Sequence, residues 1–150
     1  MLNAKDRLTA LEYQIFTALR EWLSAQAARV QLTAAAVAAL DTLCSMATLA
    51  VQRGYCRPEI TLDNQISIVD GRHPVVEKMA RNSMFVPNDT LLNCDDDRLL
   101  MITGPNMAGK STYMRQTALI VLMAQCGSFV PADKAKIGVV DRIFTRIGAS

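Results

Sequence analysis

The chain has 150 residues, 51% of them hydrophobic, and its 16 basic and 14 acidic side chains leave a formal net charge of +2. This length corresponds to about one domain, and the near balance of charge excludes binding that depends on a strongly basic surface over the whole chain. Four cysteines without Cys-x-x-Cys spacing and a single histidine argue against a zinc site, and the charged N-terminal segment argues against a secretory signal. We therefore expect reduced, mostly buried thiols and a cytoplasmic location without a membrane span.

A helical arm is predicted for residues 4 to 53, which contain no glycine or proline. Apolar residues recur at helical spacing from Leu8 to Trp22, which indicates an amphipathic helix. Weaker helix formers predict a break between residues 28 and 33, followed by a second, alanine-rich helix that suits close packing against another helix. The single acid of that second helix, Asp41, is expected to be exposed, and Gly54 is expected to end the helix.

The pattern changes from helical to extended near residue 55, where we place the boundary between domains of residues 1–55 and 56–150. Apolar residues at Ile60 and Leu62 alternate with polar neighbours, and a second apolar run at residues 66–69 follows a turn. Both runs predict short strands.

Three features precede the glycine-rich region of the chain. His73, biased toward an extended conformation by Pro74, has no partner at nucleophile or metal spacing and is expected to be structural. Phe85 lies in an irregular segment, where it either stacks on a base or packs in the core; spacing alone leaves both interpretations open. Residues 95–98 are expected to form a solvated hairpin turn.

The most informative stretch runs from residue 99 to residue 126. Its first four residues, Leu99 to Ile102, predict a buried strand, and apolar positions recur at mostly helical spacing up to Gly127, where the helix is expected to end. Between strand and helix stands the phosphate-loop pattern G-x-x-x-x-G-K-[ST], as Gly104-Pro105-Asn106-Met107-Ala108-Gly109-Lys110-Ser111. The strand–loop–helix context favours phosphate binding over a glycine-rich turn with an incidental lysine. Beyond the helix, residues 135–138 and 141–147 predict short strands or strand-like loops.

Each part of this loop has a predicted role toward a nucleotide. Gly104 and Gly109 permit the backbone to wrap a phosphate, and the helix N-terminus adds unpaired N–H groups and the positive end of its dipole. Lys110 is expected to reach the β- and γ-phosphates, the Ser111 hydroxyl to ligate Mg²⁺, and Thr112 to support the α-phosphate side.

Three motifs together resemble the MutS family of DNA mismatch-repair ATPases. They stand in the family's order and at about its spacing, as GRHPVVE at 71–77, TGPNMAGKSTYMRQ at 103–116 and DRIFTRIGA at 141–149. The resemblance implies an α/β fold, the N-terminal portion of an ABC-type P-loop ATPase domain, preceded by the end of long lever helices in residues 1–55. It also implies ATP or ADP and Mg²⁺ as cofactors, mismatched double-stranded DNA bound mostly outside this chain, a homodimer and a downstream repair factor.

Carried over by position, the resemblance assigns nucleotide contacts to the phosphate loop, residues 104–112, and an adenine cradle to Phe85 and Val86. It assigns coupling between nucleotide and dimer interface to Phe144-Thr145-Arg146. Asn106 matches the family's loop asparagine, whereas Ala108 stands where many relatives have glycine.

Several elements of the family are absent from the sequence. It contains no apolar strand ending in Asp-Glu after the loop, no ABC signature segment and no mismatch-reading Phe-x-Glu element. We therefore expect an internal portion of a longer protein, one that supplies the nucleotide-binding loop and its coupling arm but no complete catalytic set. The alternatives are a catalytically inactive piece that binds nucleotide weakly, and a MutS paralogue that acts on other nucleic acids.

Overall fold

The computed structural model describes residues 2–79 and 85–145. Within these ranges the elements are α1 (Leu2–Arg53), β1 (Glu59–Thr61), β2 (Ile66–Gly71), α2 (Pro74–Met79), β3 (Asn88–Leu92), α3 (Lys110–Gln125) and β4 (Lys134–Gly138). The chain is thus mixed α/β. Its contacts divide it into two units, Met1–Cys44 and Ser45–Ser150, and the division falls inside α1.

α1 is one continuous helix of 52 residues, so the predicted break between residues 28 and 33 is wrong. Weak helix formers cost only a few tenths of a kcal/mol each. The hydroxyl of Thr33 also donates to the carbonyl of Arg29 at 2.9 Å, within the helix. Because α1 contains no glycine or proline, nothing interrupts its hydrogen-bond ladder.

The first unit is part of the helix α1. Its large apolar side chains are exposed, among them Leu11, Trp22 and Leu40. Asp41 is exposed, as predicted. An 18-residue window within Asn3–Arg53 reaches a mean hydropathy of 1.7, so length and composition alone would allow α1 to cross a membrane. The same composition suits a helix that packs against other protein segments, and the expected absence of a membrane span stays a prediction.

Gly54 ends α1, as predicted. It adopts a left-handed φ of 59°, a conformation that glycine takes at little cost. The N–H of Tyr55 then donates to the carbonyl of Ala50 at 2.9 Å, which closes the last turn in the manner of a Schellman motif.

The second unit contains a four-stranded sheet in the order β1-β4-β2-β3. β1 runs parallel to β4, whereas β2 is antiparallel to both β4 and β3. The strands predicted around residues 60–62, 66–69 and 135–138 are confirmed as β1, β2 and β4. A register shift between Ile68 and Gly71 interrupts the pairing of β2 with β3, and Asp70 within it has a φ of 52°.

The core of this unit lies between α3 and the sheet. It is built from buried aliphatic side chains of β2, α3, β4 and the segment before β4, namely Ile68, Ile120, Val121, Ala124, Val130, Ala132, Ala135 and Ile137. α3 ends as predicted: Gly127 has a φ of 79° and donates to the carbonyl of Ala124, while Ser128 donates to that of Met123, both at 3.0 Å.

The strand predicted at Leu99–Ile102 is wrong. The segment is irregular, and Leu99 and Met101 are 80% and 84% exposed. An apolar run forms a strand only where a neighbouring strand satisfies its backbone groups, and no strand within residues 2–79 and 85–145 pairs with this one. The preceding segment does turn, since the side-chain oxygen of Asn93 accepts from the N–H groups of Asp95 and Asp97, both at 2.9 Å. It is not the predicted hairpin turn, because in the described part of the chain no strand follows it to pair with β3.

The expectation of mostly buried thiols is also wrong. Cys44, Cys94 and Cys126 are exposed, Cys56 is half-buried, and all four are free. Burial raises the pKa of the Cys56 thiol. In the part of the chain that the structure describes, no group of three or more His, Cys, Asp or Glu side chains is placed to hold a metal ion.

Candidate nucleotide-binding site

The backbone before α3 takes left-handed conformations where the sequence places its glycines. Gly104 has a φ of 146° and Gly109, the N-cap of α3, a φ of 87°. A Cβ at either position would be conformationally unfavourable. Met107 adopts a φ of 63° although it is not glycine, a conformation that costs about 1–2 kcal/mol.

The N-terminus of α3 begins at Lys110 without a side-chain cap, because its N-cap residue is Gly109. The first turn also contains no acidic residue. No carboxylate of the first turn therefore neutralises the unpaired N–H groups and the positive end of the helix dipole. Such a helix start is suited to binding an anion.

Lys110 turns back onto the loop that precedes it. Its Nζ donates to the carbonyl oxygen of Gly104 at 2.5 Å and to that of Pro105 at 2.6 Å. These two bonds close the loop on itself and hold the ammonium charge beside it. A phosphate oxygen, which is anionic, would be a stronger acceptor for the same ammonium than a neutral carbonyl.

A cleft of about 760 Å³ lies between the loop and the segment before β3. Ala108, Gly109, Lys110 and Thr112 line one side of it, and Phe85 and Val86 line another. This volume is within the range of small-molecule sites. The structure thus brings together six of the residues predicted to contact nucleotide.

The remaining predicted residues do not line this cleft. Gly104, Pro105, Asn106 and Met107 do not line this cleft, and the side chain of Met107 is fully exposed. Ser111, the predicted Mg²⁺ ligand, lines a second cleft of about 540 Å³, together with Phe144 and Thr145. Arg146 lies outside the described residues.

Phe85 is half-buried and lies outside the core that packs against α3. Its position at the cleft favours the stacking interpretation over core packing. The segment around it is held locally, since the side-chain amide of Asn88 donates to the carbonyl of Val86 at 2.9 Å.

Comparison with known proteins assigns the chain to a family. Residues 100–150 match the family model of MutS domain V. Over all 150 residues the chain is 60% identical to the DNA mismatch repair protein MutS of Ruminiclostridium cellulolyticum and 59% identical to that of Acetivibrio thermocellus. The chain belongs to the MutS family. It spans 17% of the length of these two MutS proteins, and the domain V match includes α3 and β4 but not Phe85.

In this MutS chain a link that the sequence did not predict joins the two sides of the cleft. The hydroxyl of Tyr113 donates to the carbonyl of Asp89 at 3.0 Å and accepts from the hydroxyl of Thr90 at 2.9 Å. Tyr113 and Asp89 both line the cleft. The available signal was the spacing of Tyr113, three residues after Lys110, which places both side chains on neighbouring positions of one helix face.

The MutS motif at residues 71–77 has structural contacts. The Nδ1 atom of His73 accepts from the N–H groups of Val75 and Val76, both at 3.3 Å, at the start of α2. Burial lowers the pKa of His73, and the charge of Arg115 acts in the same direction. A neutral imidazole is what this acceptor role requires, so the geometry agrees with the structural interpretation of His73.

Proposed function

We propose that this chain binds ATP and ADP in the cleft of about 760 Å³, as the nucleotide-binding part of a longer MutS protein. One observation carries the proposal: Lys110 and the N-cap Gly109 of α3 line the same cleft as Phe85 and Val86. Phosphates require positively charged or N–H donors, whereas a base requires an apolar or aromatic surface. The cleft is lined both by the Lys110 ammonium and by the aromatic ring of Phe85.

At the phosphate end, the residues of the chain supply charge and direction. The uncapped start of α3 offers its unpaired N–H groups as donors to a phosphate. Lys110 exchanges its bonds to the carbonyls of Gly104 and Pro105 for bonds to phosphate oxygens, which are the stronger acceptors. Mg²⁺ bound with the nucleotide would neutralise phosphate charge, and Ser111 offers an oxygen ligand of the type that Mg²⁺ takes.

At the base end, the aromatic ring of Phe85 stacks on adenine. Stacking of a base on an aromatic side chain is worth about 1–3 kcal/mol in other systems. The bond from Asn88 to the Val86 carbonyl limits the movement of the neighbouring backbone. Because this segment is already ordered without ligand, less conformational entropy is lost when the nucleotide binds.

For the whole protein we propose the activity that its relatives' name describes, DNA mismatch repair. A homodimer of the longer protein would bind mismatched double-stranded DNA, hydrolyse ATP in the cytoplasm and recruit a downstream repair factor. This chain would contribute the nucleotide-binding loop and, in α1, the arm that couples nucleotide to DNA. These 150 residues do not include a complete catalytic set for ATP hydrolysis.

A second candidate is a catalytically inactive piece that binds nucleotide weakly. The bonds of Lys110 to its own loop favour it, as does the position of residues 104–107 outside the cleft. In this case the loop must reorganise before phosphate enters, and that cost reduces affinity.

Titration calorimetry of the chain with ATP tests the proposal. We expect saturable binding that weakens at least about tenfold in Lys110→Ala, since a charge-assisted bond is worth about 1.5–3 kcal/mol. Lys134→Ala, at an exposed position of β4, is the matched control and should bind like the wild type. Equal affinity of wild type and Lys110→Ala, or no binding by the wild type, would contradict the proposal.

A further inference from the structure

Three hydroxyl groups meet between α3 and the start of β3, and we call them the hydroxyl cluster: Tyr113, Thr117 and Thr90. The Tyr113 hydroxyl accepts from Thr90 at 2.9 Å. Thr117, one turn further along α3, donates to the main-chain carbonyl of Tyr113 at 3.2 Å and lies 3.4 Å from the Thr90 hydroxyl. Thr90 is 4% exposed, so its polar group depends on these partners.

The hydroxyl cluster joins two elements that carry different halves of the cleft. Tyr113 stands in the first turn of α3, which begins at Lys110. Its hydroxyl donates at 3.0 Å to the carbonyl of Asp89, the second residue of β3. β3 begins at Asn88, whose side chain holds the Val86 carbonyl at 2.9 Å. A short series of hydrogen bonds therefore connects the phosphate side with the segment of Phe85 and Val86.

Asp89 is also fixed through its side chain. Its carboxylate accepts from the N–H of Asp70 at 2.8 Å, at the irregularity between β2 and β3. The Asp89 backbone is thus held by the sheet, and the bond from Tyr113 fixes α3 relative to it. Without that bond, the phosphate side and the base side of the cleft lose a direct connection.

We propose that Tyr113 is a positioning residue that sets the distance between the phosphate loop and the base-binding segment, and thereby selects a complete nucleotide over a bare polyphosphate. The inference rests on the proposed function. A ligand that contacts both sides of the cleft gains affinity only when the two sides are held at the right separation. A ligand that contacts the phosphate side alone does not depend on that separation.

The test compares two probes, ATP and inorganic tripolyphosphate, by calorimetry with the wild-type chain and Tyr113→Phe. Phenylalanine keeps the ring and removes only the hydroxyl. We expect the Kd for ATP to rise about three- to tenfold, as the loss of one hydrogen bond implies, while the Kd for tripolyphosphate stays within about twofold. Tyr13→Phe, on α1 at a side chain 66% exposed, is the matched control and should change neither value.

Equal weakening of both probes, or of neither, would overturn the role of Tyr113. A wild type that binds tripolyphosphate but not ATP would overturn the proposed function together with this inference. Circular dichroism checks that Tyr113→Phe is folded. If it is not, the pair Thr90→Val and Thr90→Ser decides: the valine variant should lose affinity for ATP alone, and the serine variant, which keeps the hydroxyl, should restore it.

Discussion

The guanidinium of Arg72 donates a hydrogen bond of 3.1 Å to the carbonyl of Gly54, the residue that ends α1. The same nitrogen reaches the carbonyl of Arg53 at 3.1 Å, and the Nε atom lies 3.0 Å from a carboxylate oxygen of Glu77. The last carbonyls of a helix carry partial negative charge, which a cation stabilises. Arg72 thus ties the end of α1 to α2 and gives the motif at residues 71–77 a structural role.

Replacing Arg72 should loosen this joint. We expect Arg72→Met to lower the free energy of unfolding by about 1–2 kcal/mol, because helix-end carbonyls lose their cation and Glu77 its partner. Amide hydrogen exchange at Tyr55 should also increase. Urea unfolding and exchange measurements check both effects against Arg57→Met, at an exposed arginine. An Arg72 variant as stable as the control would contradict the role given to this side chain.

Stability should depend on pH through His73. Because burial holds its pKa below the ordinary value, the unfolded chain takes up a proton at higher pH than the folded chain does. The contribution of His73 to the free energy of unfolding is therefore fully present above about pH 6.5. It decreases as the pH falls below that value toward the folded-state pKa.

His73 is the single histidine of the chain, so its ring signals in proton NMR report this pKa directly. In His73→Asn, which keeps a residue suited to capping, the pH dependence between about pH 5 and pH 7 should be smaller. A measured pKa at or above the ordinary value would refute the assignment.

Gly138 should not tolerate a side chain. A Cβ built there would lie 1.9 Å from the carbonyl oxygen of Asp63, which is backbone and cannot rotate away. We expect Gly138→Ala to cost about 3 kcal/mol, the upper end for overpacking. Gly127→Ala is the comparison: no atom lies within 4 Å of its Cβ, but its φ is 79°, so only the conformational cost of about 1–2 kcal/mol applies. Equal losses in urea unfolding would argue against the close contact at Gly138.

Phe85 should contribute to nucleotide affinity through its ring. We expect Phe85→Ala to weaken ATP binding by about 1 kcal/mol or more, the value of an aromatic stack. Phe129→Ala, at a side chain 41% exposed and outside the cleft, should leave the affinity unchanged. Calorimetry with ATP measures both, and unchanged affinity in Phe85→Ala would remove this residue from the proposed site.

Ser111 should matter only when Mg²⁺ is present. If its hydroxyl ligates the ion, Mg²⁺ should raise the ATP affinity of the wild type more than that of Ser111→Ala. Titrations with and without Mg²⁺ measure this difference, and Ser24→Ala, at an exposed position of α1, serves as control. The same Mg²⁺ effect in both serine variants would exclude Ser111 as the ligand.

The sequence by itself determined features that depend on local backbone chemistry. The ends of α1 and α3 at Gly54 and Gly127 follow from the left-handed conformation that glycine adopts. The start of α3 after Gly109 and the strands β1, β2 and β4 were also predictable, because residue spacing and turn residues are properties of short segments. The family resemblance came from motifs of the same local kind.

Only the tertiary structure decided the features that need a distant partner. The run at Leu99–Ile102 is apolar enough for a strand, yet a strand forms through pairing with neighbours that its own residues do not encode. Tyr113 reaches Asp89 across 24 positions of sequence and Arg72 reaches Gly54 across 18. Both are hydrogen bonds from a side chain to a backbone carbonyl, and neither composition nor residue periodicity predicts such bonds. The roles of Tyr113 and Arg72 therefore follow only from the tertiary structure.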